Sequence, residues 1–337
     1  MYIQTFFVIF LIYKNLKQSN DWNKLINFLR ISAIILCVYG IYNFITKSNP
    51  YDNFISNSFN SLSSFEFYKN IFDDRFRINS FVDHPIYYGY ILAILFLLIF
   101  NALLTRRPKA IDIVILSLIF FNLILTNSRT PLFAFLFGCV IYISTSLNPK
   151  MKLLISVISV IFLMGLYAIP FIRDKMNNTI GIFEKEENQV GGSNLKMRQM
   201  QLLASYKLFS KKPISGNGLY YIEENLGYSS NEDKSTSADE LQGFESYIYI
   251  LLIEQGLIGI ITNFIFFGAI IFYFIKNRKI SKEFTGLGLA IAIMFLTFSI
   301  ATGTLGSWII TMGILGIIIK IVELLKASKQ YALKITN

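Results

Sequence analysis

Long apolar runs alternate with short polar stretches along this chain, and the runs have the length of membrane-crossing helices, for which roughly 20 apolar residues suffice. Leu25 to Ile45, Pro85 to Leu104, Ile111 to Thr126, Leu132 to Ser144, Leu153 to Phe171, Phe284 to Thr302 and Trp308 to Leu325 each read as one span. Ser246 to Ile275 is too long for a simple span and is interrupted by Glu254-Gln255-Gly256. A carboxylate at the bilayer centre costs upwards of about 2.5 kcal/mol. The reading is therefore an interfacial helix over Ser246 to Ile253 and a crossing over Leu257 to Ile275. Met1 to Tyr13 is short for a span. The pattern predicts an all-α, polytopic transmembrane bundle of about eight or nine spans, with two longer polar loops, Thr46 to His84 and Ile172 to Glu245.

The second loop is the only stretch large enough to hold an extramembrane site, and it divides the chain into N-terminal spans (1–171), a large loop (172–245) and C-terminal spans with a basic tail (246–337). Inside it, Gly191-Gly192-Ser193 opens a predicted helix. Leu195, Leu202, Tyr206 and Phe209 fall on one face of that helix, and Arg198, Gln201 and Ser205 line another. Pro213-Ile214-Ser215-Gly216-Asn217-Gly218 ends it in a turn whose backbone is expected to approach a ligand closely. A competing reading is an amphipathic helix resting on the bilayer.

Composition agrees with the pattern, since 54% of the residues are hydrophobic and only 15% charged, too apolar for a soluble chain of 337 residues. The formal net charge of +10 resides in clusters beside the apolar runs, at Lys14 to Arg30, Arg106 to Lys109, Lys150 to Lys152, Lys276 to Lys282 and the tail. These all fall on one side of the bundle, and the positive-inside rule makes that side cytoplasmic. The reading is thus a multi-pass cytoplasmic-membrane protein whose two long loops face outward, with no nucleic-acid partner. Met1 to Tyr13 lacks a basic region and a cleavage site, so it does not read as a cleaved signal peptide.

Chemistry must then come from few residues. No phosphate-binding lysine loop, dinucleotide fingerprint or nucleophile elbow occurs. One histidine and two cysteines within apolar runs, Cys37 and Cys139, cannot build an ordinary metal site, and no cofactor or metal is expected. Arg129 sits in the two-helix turn Asn127-Ser128-Arg129-Thr130-Pro131, on the side where no topological bias favours a cation. A guanidinium fork suits phosphate oxygens, although the same residue would also serve as a headgroup contact. Arg77 and His84 precede the span at Pro85. His84 reads either as an anion-facing donor or as a local contact at the helix start, and Arg77 either as a substrate contact or as the ion-pair partner of Asp83. Glu245 and Glu254 flank the interfacial helix, Glu245 as a candidate base and Glu254 as a brace for the break at Gly256.

At these residues the sequence resembles the O-antigen ligase and polysaccharide polymerase family of polytopic bacterial membrane proteins, over most of the chain from about Leu25 onward. Four pieces match in order: Arg77 to Gly89; Asn127-Ser128-Arg129-Thr130; Arg198 through Phe209 to the Pro213 to Gly218 turn; and Glu245-Ser246 with Glu254-Gln255-Gly256-Leu257-Ile258-Gly259. Glu245 stands where ligases carry the histidine taken as the base, which argues for a polymerase. The chain is also short at its N-terminus relative to the family, as a compact member or an incomplete reading frame would be.

The resemblance implies transfer of a sugar chain from an undecaprenyl diphosphate carrier to an acceptor hydroxyl outside the cytoplasmic membrane. Diphosphate is a good leaving group, so cations matter more than an acid. Arg129 and Arg198 are the expected diphosphate ligands, Glu245 the expected base, and Arg77 and His84 further substrate contacts. The implied partners are the lipid-linked oligosaccharide and the bilayer, with a chain-length regulator and a flippase as further candidates. A ligase is the nearest alternative. A non-catalytic lipid-linked-sugar flippase is the alternative from another class, and its charges should sit near the midplane of broken helices.

Overall fold

The computed structural model describes residues 21–59, 77–105, 109–155, 195–225, 246–303 and 306–336, with scattered positions among the first 17 and residues 157 and 244. The regular elements among them are helices: α1 (Asp21–Thr46), α2 (Pro50–Phe59), α3 (Pro85–Thr105), α4 (Ala110–Leu125), α5 (Arg129–Ser146), α6 (Leu195–Phe209), α7 (Tyr221–Asn225), α8 (Tyr247–Lys276), α9 (Lys282–Ala301) and α10 (Gly306–Thr336). The expected all-α transmembrane architecture is therefore present. Six helices, α1, α3, α5, α8, α9 and α10, are long and apolar enough to cross a bilayer. Most of the predicted spans over Met1 to Tyr13 and Leu153 to Phe171 lies outside the described residues. Helix α4 is apolar but has 16 residues, about 24 Å at 1.5 Å per residue, and falls short of the usual length.

The stretch read from sequence as a polar loop, 46–84, contains α2. Its start has two local causes. Pro50 occupies the first helical position, where its missing N–H is no loss. Asn49 precedes it, and its Oδ1 accepts the backbone N–H of Asp52 at 3.2 Å, the bond of an N-cap.

By contact density the chain divides into two units, one of Met1–Met176, Tyr273–Phe295 and Gly306–Asn337, the other of Asn177–Phe272 and Leu296–Leu305. In the first unit α3 is the central helix, packed by α1, α4, α5 and α10. Tyr90 bonds Thr311 at 2.8 Å, tying α3 to α10 inside the apolar interior. A Cβ on Gly138 of α5 would lie 3.2 Å from both Leu97 and Met294, so the small residue sets a close helix crossing of the kind membrane bundles use. Helix α1 turns Phe28, Ile31, Ile35, Val38 and Ile45 outward. In water this would be an aggregation surface, whereas in a bilayer it is the lipid face.

The two ends of this unit differ in charge chemistry. At one end Arg30 forms a bidentate pair with fully buried Asp112, Nε to Oδ1 at 2.6 Å and Nη2 to Oδ2 at 2.8 Å, joining α1 to α4. Around the same end, Arg278 donates to the carbonyl of Thr145 and Lys329 to that of Ile280. The other end holds the residues described below.

In the second unit a turn and a broken helix interlock. Gly256 has φ 60° and ψ −152° within α8, so the helix breaks there, as Glu254-Gln255-Gly256 implied. Into the break fits the turn after α6. Asn217 and Gly218 donate their N–H groups to the carbonyls of Ile253 and Glu254, at 2.9 and 3.1 Å. Leu257 and Ile258 donate back to Pro213 and Ile214, at 2.9 and 3.2 Å. Carbonyls and N–H groups freed by the break are thus satisfied from outside the helix, as burial requires.

Candidate functional site

Three of the sequence candidates meet at the end of the first unit opposite Arg30. Helix α4 stops at Thr126, and Asn127 takes φ +50°, the left-handed conformation that asparagine tolerates at a helix end. Ser128 then leads directly into α5, so Arg129 is its first residue instead of a loop residue. Arg77 reaches this turn from the segment before α3, its Nη2 donating to the carbonyl of Asn127 at 3.1 Å and to Ser128 Oγ at 3.3 Å. Arg77 by its side chain and Arg129 by its place in the chain thus come to one short turn.

His84 belongs to the same place. It caps α3, with Nδ1 accepting the backbone N–H of Ile86 at 3.1 Å and Pro85 in the first helical position. Burial, and then the positive charge of Arg77, push its pKa down from 6.5 to about 4. At neutral pH the imidazole is accordingly uncharged. Because Nδ1 accepts, the ring proton lies on Nε2, which makes His84 a neutral donor and not a third cation. Helices α3 and α5 start side by side, since a Cβ on Gly89 would sit 2.8 Å from Pro131 Cγ.

The electrostatics follow from these positions. Helix N-termini carry partial positive charge and favour anions, so an arginine as the first residue of α5 opposes the ordinary preference. Here two helix starts and two arginines occupy one end of the bundle. Guanidinium groups and helix starts are the kinds of group that bind anions with several oxygens.

Beneath the arginines lies a polar layer that sequence reasoning missed. Fully buried Asn49 donates to Asn79 Oδ1 at 2.7 Å and to the carbonyl of Ser80 at 2.9 Å, and its Oδ1 accepts the hydroxyl of Tyr39 at 3.0 Å. Ser80, at φ +54°, and Tyr88 both donate to the carbonyl of Leu36 in α1. Tyr88 also bonds Asn122 of α4 at 3.0 Å. Phe81 stacks on Tyr39 with centroids 4.0 Å apart. Ser80 and Phe81 thus hold the Arg77 segment against α1, and Tyr88 ties α3 to α1 and α4. The signal was present as a polar residue inside an apolar run, Asn122, which a membrane interior does not accept without partners.

Arg198 lies in the second unit, on α6, half-buried in one stripe with Gln201 and Ser205, both fully buried. The turn expected to approach a ligand instead approaches α8. A Cβ on Gly216, at φ +71°, would strike the backbone of Glu254 and Gln255, and one on Gly256 would strike that of Gly216, Ile214 and Pro213. The glycines serve a backbone-to-backbone clasp. Glu254, expected to brace the break at Gly256, has its Oε1 accepting the N–H of Ile222 at 3.5 Å, near the start of α7. Glu245 lies outside the described residues. Among the described residues no group of three or more His, Cys, Asp and Glu gathers closely enough to hold a metal ion.

Comparison with known proteins adds one match. Residues 113–264 fit the family model described as O-antigen ligase, a stretch that contains Arg129, Arg198 and Glu245, the α6 turn and the break at Gly256. Arg77 and His84 lie just before it. No curated protein matched the chain. Residues 113–264 are thus similar to an O-antigen ligase domain, and with six helices among the described residues able to cross a bilayer the chain is an integral membrane protein.

Proposed function

We propose that the protein joins undecaprenyl-diphosphate-linked oligosaccharide repeat units into a surface polysaccharide, acting as a membrane glycosyltransferase on the outer side of the cytoplasmic membrane. The observation that carries this reading is the Arg77 and Arg129 pair on the turn between α4 and α5, beside two helix starts. That end of the first unit is opposite the basic clusters, so by the positive-inside rule it faces outward. There the pair grips the diphosphate of the donor, and neutral His84 offers a further hydrogen-bond donor.

In the reaction the acceptor hydroxyl attacks the anomeric carbon of the lipid-linked sugar. The bond from that carbon to the diphosphate oxygen breaks, and undecaprenyl diphosphate leaves with the electron pair. The hydroxyl proton passes to the Glu245 carboxylate. Charge accumulates on the diphosphate in the transition state, which is where fixed guanidinium groups act most strongly. Arg198 supplies a further cation from the large loop. A glutamate at position 245, where ligases are read to carry histidine, favours polymerisation; transfer of a finished glycan to a different acceptor is the second reading.

The test uses the purified full chain in detergent with synthetic lipid-linked repeat units. Elongation without any membrane compartment is expected, and Glu245→Gln is expected to slow it by about 10²- to 10⁴-fold, the usual worth of a general base. A protein that is folded yet does not elongate, while it moves the lipid-linked sugar across vesicle membranes, would be a transporter. Transfer of one finished chain with no lengthening would make it a ligase.

A further inference from the structure

Helix α6 has its faces reversed for a water-exposed helix. Gln201 and Ser205 are fully buried, while Leu202, Leu203 and Tyr206 are 47%, 69% and 67% exposed. A soluble helix would bury the leucines. The stretch from Leu195 to Lys212 also holds five basic residues, Lys196, Arg198, Lys207, Lys211 and Lys212, and no acidic one. Lys207, Lys211 and Lys212 are exposed.

The position of this face relative to a bilayer follows from the clasp. Asn217 Nδ2 donates both to the carbonyl of Leu208, in the last turn of α6, and to that of Ile253 at the break of α8, at 3.1 and 2.9 Å. The end of α6 is thereby pinned to Gly256. From Leu257 to Lys276 the helix has 20 residues and covers about 30 Å, the thickness of the hydrocarbon core. Its outward residues Leu257, Ile258, Ile261, Phe264 and Ile265 begin immediately after the break. The break therefore marks the boundary between hydrocarbon and headgroups, and α6 starts from that boundary.

We infer that the exposed face of α6 is an interfacial docking surface for anionic lipid: Leu202, Leu203 and Tyr206 enter the acyl boundary, and Lys207, Lys211 and Lys212 bind phosphate headgroups. Apolar burial and the attraction of several lysines to an anionic leaflet are the two forces that hold a helix in the interface plane. With that face in lipid, the stripe of Arg198, Gln201 and Ser205 is turned away from it. The docking fixes α6 and the turn after it against the membrane.

The experiment measures depth and does not depend on transferase activity. In the full chain with Cys37 and Cys139 changed to alanine, a nitroxide is attached at Leu203→Cys and, as an aqueous reference, at Asn148→Cys. The protein is reconstituted in vesicles of phosphatidylcholine with phosphatidylglycerol. The label at 203 is expected to collide several-fold more with oxygen than with a water-soluble nickel chelate, the order reversing at 148. Changing Lys207, Lys211 and Lys212 to glutamine should shift the 203 label toward the chelate in these vesicles and much less in phosphatidylcholine alone. The inference is overturned if the 203 label favours the chelate in anionic vesicles, or if it is shielded from both reagents, as a second copy would shield it. It is overturned equally if oxygen preference appears only after a polyprenyl diphosphate is added, which would make the substrate tail the occupant.

Discussion

Arg30 and Arg77 are the same residue type at opposite ends of one helical unit, and they are held in different ways. Arg30 is neutralised by a buried carboxylate through two short bonds. The hydrogen bonds Arg77 makes to the turn before Arg129 go to a carbonyl and a hydroxyl oxygen, which aim the guanidinium at that turn. The first arrangement joins two helices; the second fixes a guanidinium at the turn that leads into α5. A buried carboxylate paired in two bonds reads as architecture, and an arginine aimed at the start of a helix that itself begins with arginine is where the proposed function places its anion.

The sharpest way to break this contrast is at the Arg30 end. Asp112→Asn leaves a buried guanidinium without its carboxylate and should cost about 3–5 kcal/mol. Thermal unfolding of the purified protein should register it as a large loss of stability. Replacing both partners with apolar residues of similar volume, Arg30→Met with Asp112→Leu, should recover most of that stability and leave the transfer rate intact. A paired variant that is stable but inactive would show that Arg30 is more than a joint.

At the opposite end the expected effects fall on rate. Arg129→Gln and Arg77→Gln should each lower elongation by about 10²- to 10³-fold, the usual cost of removing one donor to developing charge, with insertion and unfolding nearly unchanged. On the proposed function both arginines serve one ligand, so the double variant should lose less than the product of the two. Lysine at either position should restore part of the rate, since it returns the charge but not the planar fork. Equal losses of rate and stability in Arg77→Gln would make it a second Arg30.

How legible these regions were in the sequence depended on the range of the interactions. The spans could be read because a bilayer demands long apolar runs, and the break in α8 because glutamate, glutamine and glycine together do not suit a membrane interior. Helix α2 was hidden in a polar loop, although Asn49-Pro50 is a local start signal. Arg77, His84 and Arg129 were each singled out, but their convergence depends on α3 and α5 starting side by side, which no local pattern encodes. The glycine turn was misread for the same reason. Two left-handed glycines announce a close approach, and the local sequence does not say that the approaching group is residues 253–258 of the same chain.

That clasp supplies an intermediate test. At Gly216 an added Cβ meets both the left-handed strain, roughly 1–2 kcal/mol, and the backbone of Glu254. Gly216→Ala should therefore lower stability by more than the strain alone. At Gly218, with φ +116° but open space around it, alanine should cost only the strain. Comparing the two by unfolding in detergent separates backbone conformation from contact, and equal losses would remove the clasp as the reason for Gly216.

The remaining test is at His84, whose effect at neutral pH is the smallest, and it decides which kind of group the imidazole is. Its pKa in the folded protein is about 4, below the ordinary 6.5. Between those values the unfolded chain binds a proton that the folded protein does not. Its contribution to stability is therefore complete above about pH 6.5, falls as the pH is lowered and is gone below about pH 4. His84→Asn keeps a side-chain acceptor for the Ile86 N–H and removes the titration. Unfolding measured from pH 7 to pH 4 should show a decline of about one proton's worth of slope in the wild type relative to the variant. Elongation rates between pH 6 and pH 8 should show no inflection that depends on His84, since the ring is neutral throughout. An inflection near pH 6.5 that disappears in His84→Asn would mean that the imidazole becomes a cation in the working range, and the anion would then be held by three charges instead of two.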